Sequence, residues 1–186
     1  MKSKEIPWMV KQALVQMRGM EHATRILIAA MDRELVERDS YGLTSPCAIG
    51  IAISATIQCA WFCEFAIKTF HSYLSDGTCY TGHNCKVLYE CLEKLYMKKR
   101  NKPSGDLSDR IISEIKSRKG CCPIEWYSDI TDVYFTLSLG ATNFEDWRYG
   151  YPERRILNDG VPKGLFVVAK GLELLCRQSF LSQHSS

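Results

Sequence analysis

Residues 46–74 read PCAIGIAISATIQCAWFCEFAIKTFHSYL, and this stretch decides the fold. Its apolar side chains fall on nearly every side of a 3.6-residue wheel, the pattern of a helix surrounded by other helices. Between Cys47 and Ile67 the run approaches the roughly 20 residues that cross a bilayer. However, Gln58 and Glu64 interrupt it, Ser54 and Thr56 dilute it, and no basic cluster flanks either end. An ionised Glu is costly in lipid. The expectation is therefore the buried central helix of a bundle, with no membrane partner.

Working outward, the preceding segment from Pro7 to Glu37 has apolar residues at helical spacing: Val10, Leu14, Met17, Ile26, Leu27, Ala30, Met31 and Leu35. Pro7 suits a first turn, and Gly19 is a candidate kink. Asp39 to Pro46 reads as a loop. After the central helix, a third is expected over about His83 to Lys99, with the stripe Val87, Leu88, Cys91, Leu92, Leu95 and Tyr96. A short fourth, capped by Asp106 or Ser108, carries Leu107, Ile111, Ile112 and Ile115. Glu125 to Leu139 is rich in aromatic and β-branched residues, and the surrounding helices favour a helix there over a strand. Phe144 to Asn158 reads as irregular. A last helix is expected over about Pro162 to Phe180, with Leu165, Val168, Ala169, Leu172, Leu175 and Cys176 inward, then a loose tail from Ser182 to Ser186. Short loops favour antiparallel neighbours. The expected architecture is all-α, an antiparallel up-down bundle of about five helices. It forms one domain over residues 1–186, with the N-terminal helix 7–37 packed on it.

Bulk composition agrees with a folded domain. Of the 186 residues, 46% are hydrophobic and 24% charged, which argues against disorder. A net charge of +3 does not by itself announce a nucleic-acid binder. The nine cysteines are an odd number, so at least one thiol cannot pair within the chain. Cys59, Cys63, Cys91 and Cys176 sit in helical apolar patterns, as small hydrophobes do. The N-terminus, Met1 to Pro7, is charged and lacks an apolar signal region. Reduced thiols and a cytoplasmic location follow as expectations.

Three short pieces carry the chemistry. The first is Trp61-Phe62-Cys63-Glu64-Phe65-Ala66-Ile67-Lys68. The second is Gly82-His83-Asn84-Cys85-Lys86-Val87-Leu88-Tyr89. The third is Phe144-Glu145-Asp146-Trp147-Arg148-Tyr149-Gly150-Tyr151-Pro152-Glu153. Glu64 and Lys68 stand four apart in the favourable order. A carboxylate in so apolar a run needs a partner, and His83 and Arg148 are the candidates. In their order these pieces resemble HEPN-domain proteins. In that family a Glu-x-x-x-Lys helix is followed by a Gly-His-(Asp/Asn)-Leu helix start and then a Phe-x-x-x-Arg-Tyr element. The match spans about residues 45 to 180, and Cys85 departs from the usual Leu.

The bland reading of Glu64, Lys68, His83 and Arg148 is a structural polar network. The sharper one is a ligand or RNA groove formed by Glu64, Lys68, His83, Asn84, Trp147, Arg148 and Tyr149. The resemblance implies a homodimer and an RNA, nucleotide or protein partner, such as a nucleotidyltransferase, in a defence or toxin–antitoxin setting. Many HEPN proteins are metal-independent ribonucleases, in which Arg steadies phosphate charge and His moves protons. Their signature is Arg, four to six residues, then His. Arg148 has no His at that spacing. Arg177 and His184 meet it, at a chain end where chance matches are common. The catalytic candidates are thus Arg148, His83, Arg177 and His184, and the preferred reading is a HEPN-like binding module without the standard nuclease motif. A protein-binding scaffold is the third reading.

No cofactor is expected, since the Gly-x-x-x-x-Gly-Lys-(Ser/Thr) loop is absent. Cys79, His83 and Cys85 lack the spacing of structural zinc, so no metal is expected. The basic stretch from Lys94 to Lys102 reads first as a solvated helix end, and only second as a contact for RNA phosphates.

Overall fold

The structure, a computed structural model, describes residues 5–36, 46–78, 80–100, 106–127, 130, 132–140 and 160–184. It is all-α: among the described residues there is no strand. The helices are α1 (Glu5–Val36), α2 (Pro46–Leu74), α3 (Cys85–Arg100), α4 (Asp106–Ser117), α5 (Val133–Gly140) and α6 (Gly160–His184), with one 3₁₀ turn at Ile124–Trp126.

The central position expected of 46–74 is what α2 occupies. It packs chiefly against α6 and α1, then α3, while α6 also covers α4 and α5. Ala52, Ala55, Cys59, Phe62, Cys63, Ala66, Ile67 and Phe70 of α2 are buried in one continuous core. Length and composition alone would let Cys47–Leu74 cross a membrane, and it is the one described helix of which this is true.

Two stripes differ from expectation. In α1 the buried series is Val10, Leu14, Met17, Thr24, Ile28 and Met31, a single i, i+3/i+4 progression that passes through Glu21. Ile26, expected inside, is exposed. In α3 Val87 is exposed, whereas Tyr89 is buried beside Leu88, Leu92 and Tyr96. Helix α6 runs on to His184, so residues 182–184, expected in a loose tail, are helical. The segment 144–158 lies outside the described residues.

Helix direction also departs from an alternating up-down bundle. Phe62 faces Phe166, and farther along both helices Tyr73 Oη donates to the Ser179 carbonyl at 2.8 Å. Both numbers rise together, so α2 and α6 run the same way. Helix α3 also runs with α2, since Cys85 Sγ reaches the Ala60 carbonyl while Tyr96 meets Phe70. Helix α1 runs opposite to α6: Glu21 pairs with Lys170, and Asp32 with Lys163.

The cause is the connection after α2. Asp76 (φ +56°) and Gly77 (φ +98°) adopt left-handed backbone, and the Gly77 amide returns to the Ser72 carbonyl at 2.8 Å. This is a helix stop that reverses the chain. The ten or so residues between α2 and α3 reach about 33 Å when extended. That is enough to double back along α2 and restart in its direction.

Candidate functional site

Glu64 lies on α2 with its side chain 15% exposed. Its Oε1 accepts from Lys68 Nζ, one turn on, at 2.8 Å. The same oxygen faces His83 Nδ1 at 3.1 Å. Two of the three sequence pieces therefore meet at one carboxylate. Lys68 is 22% exposed and His83 72%, so the cluster is buried at its base and open at its imidazole.

Asn84 has a structural task. Its Oδ1 accepts from the Val87 amide at 3.2 Å, which caps the orphan donors at the start of α3. Behind it, Cys85 closes the site on the core side. Burial, and then the nearby Glu64 carboxylate, push its thiol up to about 12 against the opposing pull of Lys68. Such a thiol stays protonated and acts as a small apolar group, as Leu would. Trp147, Arg148 and Tyr149 lie outside the described residues.

Arg177 sits elsewhere, in a second polar cluster not expected from the sequence. Glu173 on α6, 1% exposed, is held by Lys170 Nζ at 3.0 Å and by Arg177. Lys170 reaches across to Glu21 of α1 at 2.7 Å, and Glu21 also takes Arg25. Arg25 lies over the Phe166 ring, 4.9 Å from its centroid, and donates to the Cys121 carbonyl. The result is an alternating chain, Arg25–Glu21–Lys170–Glu173–Arg177, that ties α1 to α6. Two features of the sequence signalled it: Glu21 in the core-facing series of α1, and Lys170, Glu173 and Arg177 at i, i+3 and i+7 in the most apolar part of α6.

This pairing bears on the Arg177–His184 match. The Arg177 guanidinium is engaged by a buried carboxylate, and the two residues lie two turns apart on one helix, about 10.5 Å along its axis. Among the described residues no three metal-ligating side chains gather in one place. Compared with known proteins, the chain matches no family model, no curated protein and no solved structure.

Proposed function

We propose that this chain is a HEPN-like helical module that binds RNA without cleaving it, with Lys68 and His83 at the binding face. The observation that carries the reading is the shared carboxylate: Glu64 holds both Lys68 and His83. The Glu-x-x-x-Lys and Gly-His-Asn pieces thus converge although His83 lies 19 positions after Glu64. The reading rests on this convergence and not on helix directions. Glu64 orients its two partners, and the exposed imidazole and the partly buried ammonium supply donors to phosphate or base edges. Following the same resemblance, the module acts in the cytoplasm as a homodimer. It belongs to a defence or toxin–antitoxin pair, with a nucleotidyltransferase as its kind of protein partner.

The test is RNA retention across a salt series, together with a metal-free cleavage assay. Binding that falls with salt, weakens at least tenfold in Lys68→Ala and His83→Ala, and leaves the RNA intact is the expected result. Retention that neither variant changes would sink the reading. Cleavage lost in His184→Ala or His83→Ala would replace it with the ribonuclease, and a chain retaining no RNA would leave a protein-binding scaffold.

A further inference from the structure

A cleft of about 210 Å³ opens at the far end of α3, between the ends of α3 and α6 and the start of α4. Its floor is apolar and includes the buried ring of Tyr96. Its rim is polar: Arg100 from α3, Arg110 from α4, and Gln178, Ser179 and Ser182 from α6. Among the described residues no carboxylate lines it. Among the described residues neither arginine has a carboxylate partner, although Lys99, Arg118 and Arg177 each have one.

Arg100 stacks over the Tyr96 ring at 5.6 Å, which steadies the guanidinium while leaving its edge donors available. A basic residue in the last turn of α3 is what the helix dipole favours, and this accounts for Arg100 in part. It does not account for Arg110, which lies in the N-terminal half of α4, where the dipole disfavours a cation. Two guanidinium groups held on separate helices, beside hydroxyl and amide donors, match a tetrahedral dianion. The two forks can share the three terminal oxygens of a monoester, with the Gln178 amide at the rim, while the Ser182 hydroxyl donates to the Ser179 carbonyl at 3.0 Å.

We propose that this cleft binds a terminal phosphate monoester, borne either by a mononucleotide or by the 5′ end of an RNA. The site is independent of the Glu64–His83 face. The fifteen residues from Cys85 to Arg100 put about 22 Å of helix between them, so either site can fail without the other.

The test is calorimetric titration of the full chain with inorganic phosphate, adenosine 5′-monophosphate, and one short RNA carrying either a 5′-phosphate or a 5′-hydroxyl. Wild type is compared with Arg100→Gln, Arg110→Gln and the double variant. Both arginines are exposed, and an unchanged urea midpoint confirms that the variants fold. Arg110→Lys keeps the charge without the fork. The expected result is phosphate and monophosphate binding that falls at least tenfold in the double variant and is only partly kept in Arg110→Lys. It persists in Glu64→Gln, which affects the other face alone. A 5′-phosphate RNA that binds tenfold tighter than its 5′-hydroxyl twin, and tighter than the mononucleotide, names the RNA end as the source. A mononucleotide that binds as tightly as the 5′-phosphate RNA names the nucleotide. No phosphate binding at millimolar concentration, or binding in the double variant within twofold of wild type, overturns the proposal.

Discussion

Gly171 stands where α6 packs tightly on α4. A Cβ there would lie 2.6 Å from Ile111 Cγ2 and 3.0 Å from the Ile111 carbonyl oxygen. Ile111 Cγ2 moves only with χ1, which is stiff in a buried β-branched helical residue, and the carbonyl belongs to α4 itself. Gly171→Ala should therefore push the two helices apart. Overpacking costs about 1–3 kcal/mol, against a helix-propensity gain of about 1 kcal/mol for replacing a mid-helix Gly by Ala. The expected outcome is a net loss of stability, read as a lower urea midpoint; a midpoint at or above wild type would mean that α4 and α6 do not approach this closely. Gly164 also faces a side chain, Thr136 Cγ2 at 3.1 Å, whose hydroxyl donates to the Asp132 carbonyl at 3.0 Å. At this scale the sequence was partly legible. Glu64 announced a need for a partner, since a carboxylate among Phe62, Cys63 and Phe65 cannot stay unpaired. Lys68 was legible as one partner from its spacing and His83 as one of two candidates, and the structure brings both to Glu64; the choice between His83 and Arg148 was not legible, because each comes from another part of the chain.

At the scale of the element, α6 combines the densest burial with a charged ladder. Val167, Val168, Ala169, Leu172 and Cys176 are buried, and Lys170, Glu173 and Arg177 thread between them. Glu173 neutralises two cations in low dielectric. Replacing it with Ala leaves Arg177 without its carboxylate and Lys170 with Glu21 alone, and removing one member of a buried ion pair costs about 3–5 kcal/mol. Glu173→Ala should lower the thermal midpoint by many degrees, whereas exchanging the surface-exposed Lys99, whose bridge to Asp76 is long at 3.5 Å, should leave it almost unmoved. Equal effects from the two substitutions would contradict the burial of the ladder. The apolar pattern was enough to place α6 from sequence, but its last turns were not, because Ser182 and Gln183 have no apolar period to extend.

For the whole molecule, Glu21 is the bolt between α1 and α6. Burial alone would push its carboxyl up, but hydrogen bonds and charges from Lys170 and Arg25 outweigh it and hold the group below its ordinary 4.5. As pH falls, the unfolded chain, with the higher value, takes up the proton first. The stability that Glu21 contributes is thus fully present above its unfolded value and is lost as pH drops through the lower folded one. Urea midpoints measured from about pH 6 down to about pH 3 should fall for wild type. Glu21→Gln should start lower and fall less steeply over that interval; parallel curves would show that Glu21 does not couple α1 to α6.

The sequence by itself determined that the chain is all-α, that residues 46–74 form the central helix, and that Glu64 and Lys68 share one face. Each of these follows from local periodicity and from the cost of leaving apolar surface or a charge unpartnered. Only the tertiary structure decided that α2, α3 and α6 run the same way, that Ile26 and Val87 face outward while Ile28 and Tyr89 face the core, and that Arg100 and Arg110 share a cleft. Helix direction depends on how a ten-residue connection is routed, and a cleft depends on which helix ends meet. Both are set by long-range packing, which no window of sequence contains.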